Sequence, residues 1–408
     1  MVNKIRTSLF GVLAIMAGPA WSQDIEHVHL SKSETLSFAI ILEQAMLQAP
    51  EYREIAARDA QAKDQERIGQ SWIAGRPSAQ IEYIDDHSLT NIGEPELTYG
   101  VALPLWRPGE KKAMSALGRQ YSLQSSGWQR SFELETAGKL RASLADLHEA
   151  ETLLDVEREA TEGAAELLRI VETLFNAGEV AQLDVMQART LLLAQQRNEL
   201  DSDAMFVDAE RTYAVLTGLS VAPASPHSEV RVISEEVAST HPQLQLLQTS
   251  LDLQDANISK AETAAKGNPV LTLGSRRIGN ETAVAVSLII PFGGKSFVGV
   301  AGSTARRAKV DIEVQYYTAL RKLNAQLHEV EHQLFTLDQA LPLSQEQAQL
   351  SRAQWTMASS AFELGETNLS QVVIAMQQAR SSAKNFETMT MQYQRLITES
   401  NQIIGVLP

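Results

Sequence analysis

His328 and His332 stand one helical turn apart, with Glu329 and Glu331 between them, and could in principle do chemistry. The run His328-Glu-Val-Glu-His332 matches the helical zinc-protease pattern in part. Two imidazoles at i and i+4 can share a metal, and the glutamate after the first can act as general base. A catalytic zinc also needs a third protein ligand and an open position for water. The surrounding sequence argues against this chemistry. Leu320, Leu323, Leu327, Val330, Leu334, Leu337 and Leu341 alternate steps of three and four, a heptad seam that calls for long helices packed side by side. With Leu327 at position a and Val330 at d, His328 falls at b and His332 at f, on the outward face of a rod. The expectation is an exposed pair on a polar helix face, not a metalloprotease. No phosphate-binding glycine loop, Ser/His/Asp set or paired carboxylates in a pocket can be singled out. Catalytic, cofactor and metal sites are therefore all expected to be none.

The elements that carry the seam are written twice. Pro50 and Pro77 recur 192 residues later as Pro242 and Pro269, and Pro104 recurs 187 later as Pro291. Leu140, Leu147, Leu154, Val185, Ala188 and Gly218 recur at that second spacing as Leu327, Leu334, Leu341, Val372, Ala375 and Gly405. So does Gly178-Glu179, as Gly365-Glu366. The period is far beyond the ~20–50 residues of solenoids and propellers, so one large unit has been duplicated. No proline interrupts 109–222 or 292–341. A helix from Pro108 to Asn176 would be roughly 100 Å long at 1.5 Å per residue. Each helical stretch breaks once, at Asn176-Ala-Gly-Glu179 and at Glu363-Leu-Gly-Glu366, where glycine supplies the left-handed cap of a helical hairpin.

The other end of each copy alternates with period two. Ala79, Ile81 and Tyr83 oppose Ser78, Gln80 and Glu82; Leu97, Tyr99, Val101, Leu103 and Leu105 oppose Thr98, Gly100 and Ala102. In the second copy Leu271 and Leu273 oppose Thr272, Gly274 and Arg276, and Val284, Val286, Leu288 and Ile290 oppose Ala283, Ala285 and Ser287. This reads as two β-hairpins, 77–105 and 269–291, bracketed by prolines. One face is apolar and the other small or polar, as in a transmembrane β-barrel strand. Tyr83, Tyr99, Trp106 and Phe292 are the candidate membrane-interface aromatics. Four strands cannot close a barrel, and open edges cannot sit in lipid, so several chains would have to pool them.

Residues 1–22 read as a signal peptide: Lys4 and Arg6, the apolar run Leu9–Ala17, then Ala20-Trp21-Ser22. Residues 23–219 form the first repeat, 220–240 a linker with Pro223 and Pro226, and 241–408 the second repeat. The chain contains no cysteine, which excludes a disulfide framework and a lipidated cysteine after the signal. A net charge of −15 disfavours nucleic acid, since no basic stripe is present to neutralise phosphate. His27 and His29 read as loose, exposed residues near the mature N-terminus.

At this point the residues resemble the TolC-type outer-membrane efflux proteins. The match rests on the paired hairpins, the Gly-Glu tips, and the stretches Gly178-Glu-Val-Ala-Gln-Leu-Asp-Val-Met-Gln-Ala-Arg189 and Leu364-Gly-Glu-Thr-Asn-Leu-Ser-Gln-Val-Val373. The resemblance implies a mostly α homotrimer in the outer membrane of a Gram-negative bacterium. A helical barrel in the periplasm would be continuous with a twelve-stranded β-barrel in the lipid bilayer. Its partners would be a periplasmic membrane-fusion adaptor and an inner-membrane pump of the RND type. Adaptor docking carries over to Ala177, Gly178, Glu179, Leu364, Gly365 and Glu366. TolC narrows its periplasmic end with two aspartates after the second tip. Here those positions are Gln371 and Ile374, and Asp184 holds the equivalent place after the first tip. The segment Leu103-Pro-Leu-Trp-Arg-Pro-Gly-Glu-Lys-Lys112 leans toward channels of heavy-metal, Czc-type pumps. The alternatives are a channel for type I protein secretion and a soluble periplasmic coiled-coil scaffold.

Overall fold

The computed structural model describes residues 29–85 and 94–407. The signal-peptide reading and His27 lie outside them. The described residues form, in order, β1 (Ser31–Ser33), α1 (Phe38–Gln48), α2 (Tyr52–Gln70), β2 (Ser78–Ile84), β3 (Glu96–Pro104), α3 (Glu110–Ala177), α4 (Gln182–Thr217), β4 (Val221–Pro223), α5 (Pro242–Ala264), β5 (Val270–Ile278), β6 (Glu281–Ile289), α6 (Lys295–Ala301), α7 (Ser303–Glu363) and α8 (Leu369–Ile403).

The duplication is visible in space. Helix α3 and its hairpin partner α4 are repeated as α7 and α8, and α2 is repeated as α5. Helix α3 has 68 residues, and its buried stripe runs through Leu140, Leu144, Leu147, Leu154, Leu167 and Val171 as the heptad spacing requires. Helix α7 buries Leu327, Val330 and Leu334 in the same way. It also runs on past the point where the sequence seam stops, with Pro342 inside it. Proline removes one ladder donor there, and the packing of α7 on α8 keeps the helix going.

The chain forms a slab one element thick. Antiparallel strands at one end follow the order β2-β3-β5-β6. Below them α2 packs on α3, α3 on α5 and α5 on α7. Toward the tips α4 packs on α3, α3 on α8 and α8 on α7. At every level the first copy ends on one side (β2, α2, α4) and the second on the other (β6, α7). The two copies meet in the middle through β3–β5, α3–α5 and α3–α8.

The linker is not free. Its first residues form β4, which pairs in parallel with β1 through Ser31↔Val221 and Ser33↔Pro223, a pairing with no signature in the sequence. The rest is a strap: Val232 N donates to Asn401 Oδ1 (3.0 Å) and Val237 N to Asn324 Oδ1 (2.8 Å). Arg141, buried on α3, donates to Glu229 Oε1 at 2.7 Å and Oε2 at 3.1 Å, and to the Val406 carbonyl at 3.0 Å. Burial pushes the Glu229 carboxyl up, but hydrogen bonds from His227, Arg141 and Asn401 outweigh it and hold the group at about 2. His29 is likewise tied down: its Nδ1 lies 2.9 Å from Glu210 Oε2 and its ring stacks on Phe206. His29 is exposed as expected, but it is not loose, because the β1–β4 pairing fixes the chain beside α4.

Candidate functional site

The sheet keeps the two-faced pattern across its strands. Apolar positions sit opposite one another in register: Ile81↔Tyr99, Tyr83↔Leu97, Val101↔Leu273, Leu103↔Leu271 and Leu273↔Val286. This face is not covered by any described helix: Ile81, Tyr83, Tyr99, Val101, Val284, Val286 and Leu288 are all exposed. The opposite face lines a cleft of about 540 Å³ bordered by Gln80, Glu82, Thr98, Thr272 and Arg276, where Arg276 pairs with Glu96. Gly100 and Gly274 face each other at the β3–β5 contact between the copies. A Cβ on Gly274 would stand 2.2 Å from the Tyr99 carbonyl oxygen, so only glycine allows the strands to approach here.

The four interface aromatics part company. Tyr83 lies near the end of β2 and Phe292 just beyond β6, and both are exposed. Tyr99 lies inside β3 rather than at its end. Trp106 is half-buried, its indole N–H donating to the Ser71 carbonyl at 2.9 Å; it serves as a clasp to the end of α2. Trp72, which carries no such pattern in the sequence, is also exposed. It sits just past the end of a helix, where period-two alternation gives no signal.

The two tips are alike in backbone. Gly178 (φ 81°) and Gly365 (φ 73°) are left-handed. The following amides close the turn, Glu179 N on the Leu174 carbonyl at 3.0 Å and Glu366 N on the Ala361 carbonyl at 2.8 Å. Ala177, Gly178, Glu179, Leu364, Gly365 and Glu366 are all exposed. The tip glutamates do not cap the next helices. Asp184 does so on the first tip, accepting from Ala181 N at 3.0 Å. On the second tip Asn368 Oδ1 accepts from Gln371 N at 3.1 Å, and the Gln371 side chain accepts from the Thr367 hydroxyl. Asp184 and Gln371 thus occupy equivalent places, and only one is acidic.

Ile374 is exposed and shares a cleft of about 600 Å³ with Leu183, Met186, Thr190, Val373 and Gln377. The surface that joins α4 to α8 beside the tips is apolar. Leu183 and Met186 are not among the residues that the sequence pattern singles out.

His328 and His332 are both exposed on α7, as the heptad register requires. Among the described residues, no group of three or more His, Cys, Asp or Glu could hold a metal ion. No described helix is long and apolar enough to cross a membrane.

No protein-family model matches the chain, and no curated protein matches it by sequence. Solved structures do match in three dimensions. The outer membrane protein VceC from Vibrio cholerae aligns over 90% of this chain and 96% of its own, at 12% identity and TM-score 0.74. CusC, crystallised in a study of folding and transmembrane channel formation, aligns over 95% and 99% at 14% identity and TM-score 0.73. The CmeC outer membrane channel of Campylobacter jejuni aligns over 99% and 93% at 15% identity and TM-score 0.71. Identities this low establish the fold: the chain has the TolC-type outer-membrane channel fold.

Proposed function

Taking that fold as premise, we propose that the chain is the outer-membrane channel of a tripartite efflux system. It acts as a homotrimeric, passive conduit in the outer membrane of a Gram-negative bacterium. One observation carries the reading. The sheet exposes an apolar face, keeps a polar one opposite, and leaves β2 and β6 as open edges. A soluble sheet capping a coiled coil would bury its apolar face, whereas lipid covers it in a barrel.

The free edges support closure by further copies. Helix α7 carries Leu343, Leu350 and Met357 at seven-residue spacing, all exposed. Helix α4 carries Leu183, Met186, Leu193 and Leu200, also exposed. These heptad stripes lie on opposite sides of the slab, so head-to-tail packing of α7 on the next copy's α4 buries both. Three copies would pool twelve strands into an even-numbered barrel.

The exposed tips would dock a periplasmic adaptor, which connects the channel to an inner-membrane pump. Asp184, Gln371 and Ile374 would surround the periplasmic constriction. Catalysis has no role in this reading, because selection belongs to pump and adaptor. Heavy-metal cations as cargo rest on the resemblance of the Leu103–Lys112 segment alone, and metal sensitivity of a deletion strain tests that extension.

The main test is fractionation followed by planar-bilayer recording. We expect a heat-sensitive trimer in the detergent-extracted outer membrane and discrete conductance steps. Recovery of a monomer from the soluble periplasm would sink the channel reading and favour the scaffold.

A further inference from the structure

Two kinds of lateral contact exist just below the sheet, and only one is made within the chain. The intramolecular contact is a polar clasp. Arg107 donates to the carbonyls of Gly267 and Pro291, and Glu110 Oε2 accepts from Asn268 Nδ2 at 2.8 Å. Further down, Gln124 donates to the Ser250 hydroxyl at 2.9 Å, and Gly127 lies against Leu246 and Thr249. One stripe of α3 (110, 113, 117, 124, 127) therefore faces α5 and the loop after it.

The duplication shows what the same stripe does at the free edge. Moved by 187 residues, it becomes Phe297, Val300, Thr304, Asp311 and Val314 on α6 and α7, every one exposed. Leu246, Thr249 and Ser250 of α5, moved back by 192 residues, become Glu54, Ala57 and Arg58 on α2, where Arg58 turns back over the Trp128 ring of α3 at 4.6 Å. Two heptad steps from Glu54 and Arg58 toward the sheet reach Ile68, on α2, and Trp72, just past its end. The residues of the clasp are gone: Gly294 stands where Arg107 was and Phe297 where Glu110 was. In their place both edges are apolar at one level. Phe297 is 73% exposed and Val300 71%, against 42% for Ile68 and 72% for Trp72. Large exposed apolar side chains at matching heights on two edges ask for each other.

We propose that Phe297 and Val300 pack against Ile68 and Trp72 of a second copy of this chain. This apolar latch closes the intermolecular seam below the membrane, where the intramolecular seam is closed by hydrogen bonds. The proposal rests on the trimeric reading above and goes beyond it by assigning the contacting residues. The latch is asymmetric, one edge supplying Phe297 and Val300 and the other Ile68 and Trp72, as a head-to-tail ring requires. Its consequence is a division of labour: the covalently linked seam holds by directional bonds, and the seam that must form after secretion holds by burial of apolar area.

The absence of cysteine from the chain makes the test clean. Trp72→Cys and Val300→Cys are introduced together and singly into the full chain, and detergent-solubilised protein is treated with a short bis-maleimide. The double variant is expected to give covalent dimers and trimers on a denaturing gel, and each single variant only monomers. A second arm places a nitroxide at Phe297→Cys in vesicles, with Val286→Cys as the reference on the apolar face of the sheet. The latch predicts a 297 label shielded from both the aqueous and the lipid-phase relaxing agent. A trimer without cross-links whose 297 label meets the lipid-phase agent would overturn the latch in favour of a bilayer contact. One whose label meets water would overturn it in favour of a solvent face. If the Val286 label is not lipid-exposed, or no trimer forms in unsubstituted protein, it is the channel reading that fails.

Discussion

The two lateral boundaries of this chain are built differently, although duplication places equivalent positions at both. Inside the chain, the seam between copies is dense with charge. Glu157 on α3 is almost wholly buried and accepts from Arg380 at 2.6 and 2.8 Å and from Lys384 at 3.2 Å. Arg395 on α8 reaches back to Asp146 and Glu149, and Arg352 on α7 to Glu159. At the free edges, α7 and α4 instead present leucine and methionine. The linker and strap hold the intramolecular partners at high effective concentration, so directional bonds can set register without supplying the affinity. Separate chains have no such help, and apolar burial supplies the association.

The largest effect should come from putting charge into the free edge. Leu350→Asp with Met357→Asp would leave unpaired carboxylates in the buried contact, costing several kcal/mol. The expected result is loss of the heat-sensitive trimer with helical circular dichroism retained. An unaffected trimer would remove the α7–α4 packing. Next is the seam within the sheet. Gly274→Val drives a side chain into the Tyr99 carbonyl, with an expected loss of about 3 kcal/mol or more and failure to insert, read by outer-membrane yield. A tolerated valine would mean that β3 and β5 do not pair in this register.

A smaller loss is expected from Glu157→Gln, which leaves Arg380 and Lys384 without their anion. Both cations are partly exposed, so the cost is discounted to about 1–2 kcal/mol, read as a lowered thermal midpoint without loss of the trimer. The same seam has a pH signature. Glu229 is held at about 2 against an ordinary value of 4.5, and Glu157 is also lowered once the pull of Arg380 and Lys384 overcomes burial. A depressed carboxylate stabilises fully above its unfolded value and ceases to do so as pH falls through its folded one. The thermal midpoint should therefore hold down to about pH 4.5 and drop toward pH 2, and Glu229→Gln should flatten that drop. The smallest effect lies at the tips. Asp184→Ala removes a helix cap for about 0.5–2 kcal/mol of local stability, seen as faster hydrogen exchange at the start of α4. Gln371→Ala, whose cap is supplied by Asn368, should leave α8 unchanged.

Much of this molecule is legible in the residues because backbone geometry imposes short periods. Alternation by two gave both hairpins close to their observed ends, and steps of three and four gave the helices and the outward placement of His328 and His332. Gly178 and Gly365 marked the turns because only glycine adopts that conformation without strain. Trp106 shows the converse. Its aromatic ring and place near a strand end fit a girdle, but the Ser71 carbonyl that takes its proton lies 35 residues away in the chain.

The sequence by itself determined the element types, the tip positions and the apolar face of each strand, since these follow from spacing within one or two turns of chain, and the duplicated plan, since the same pattern recurs 187 to 192 residues on. Tertiary structure decided the rest: that β3 pairs with β5, that the linker is strapped down by Arg141 and Asn401, and that β1 and β4 join. It also decided that ion pairs are set into the seam within the chain, while leucine and methionine stand exposed at the free edges. Those outcomes depend on which surfaces meet across 88 residues or more, and no local period encodes a partner that far away.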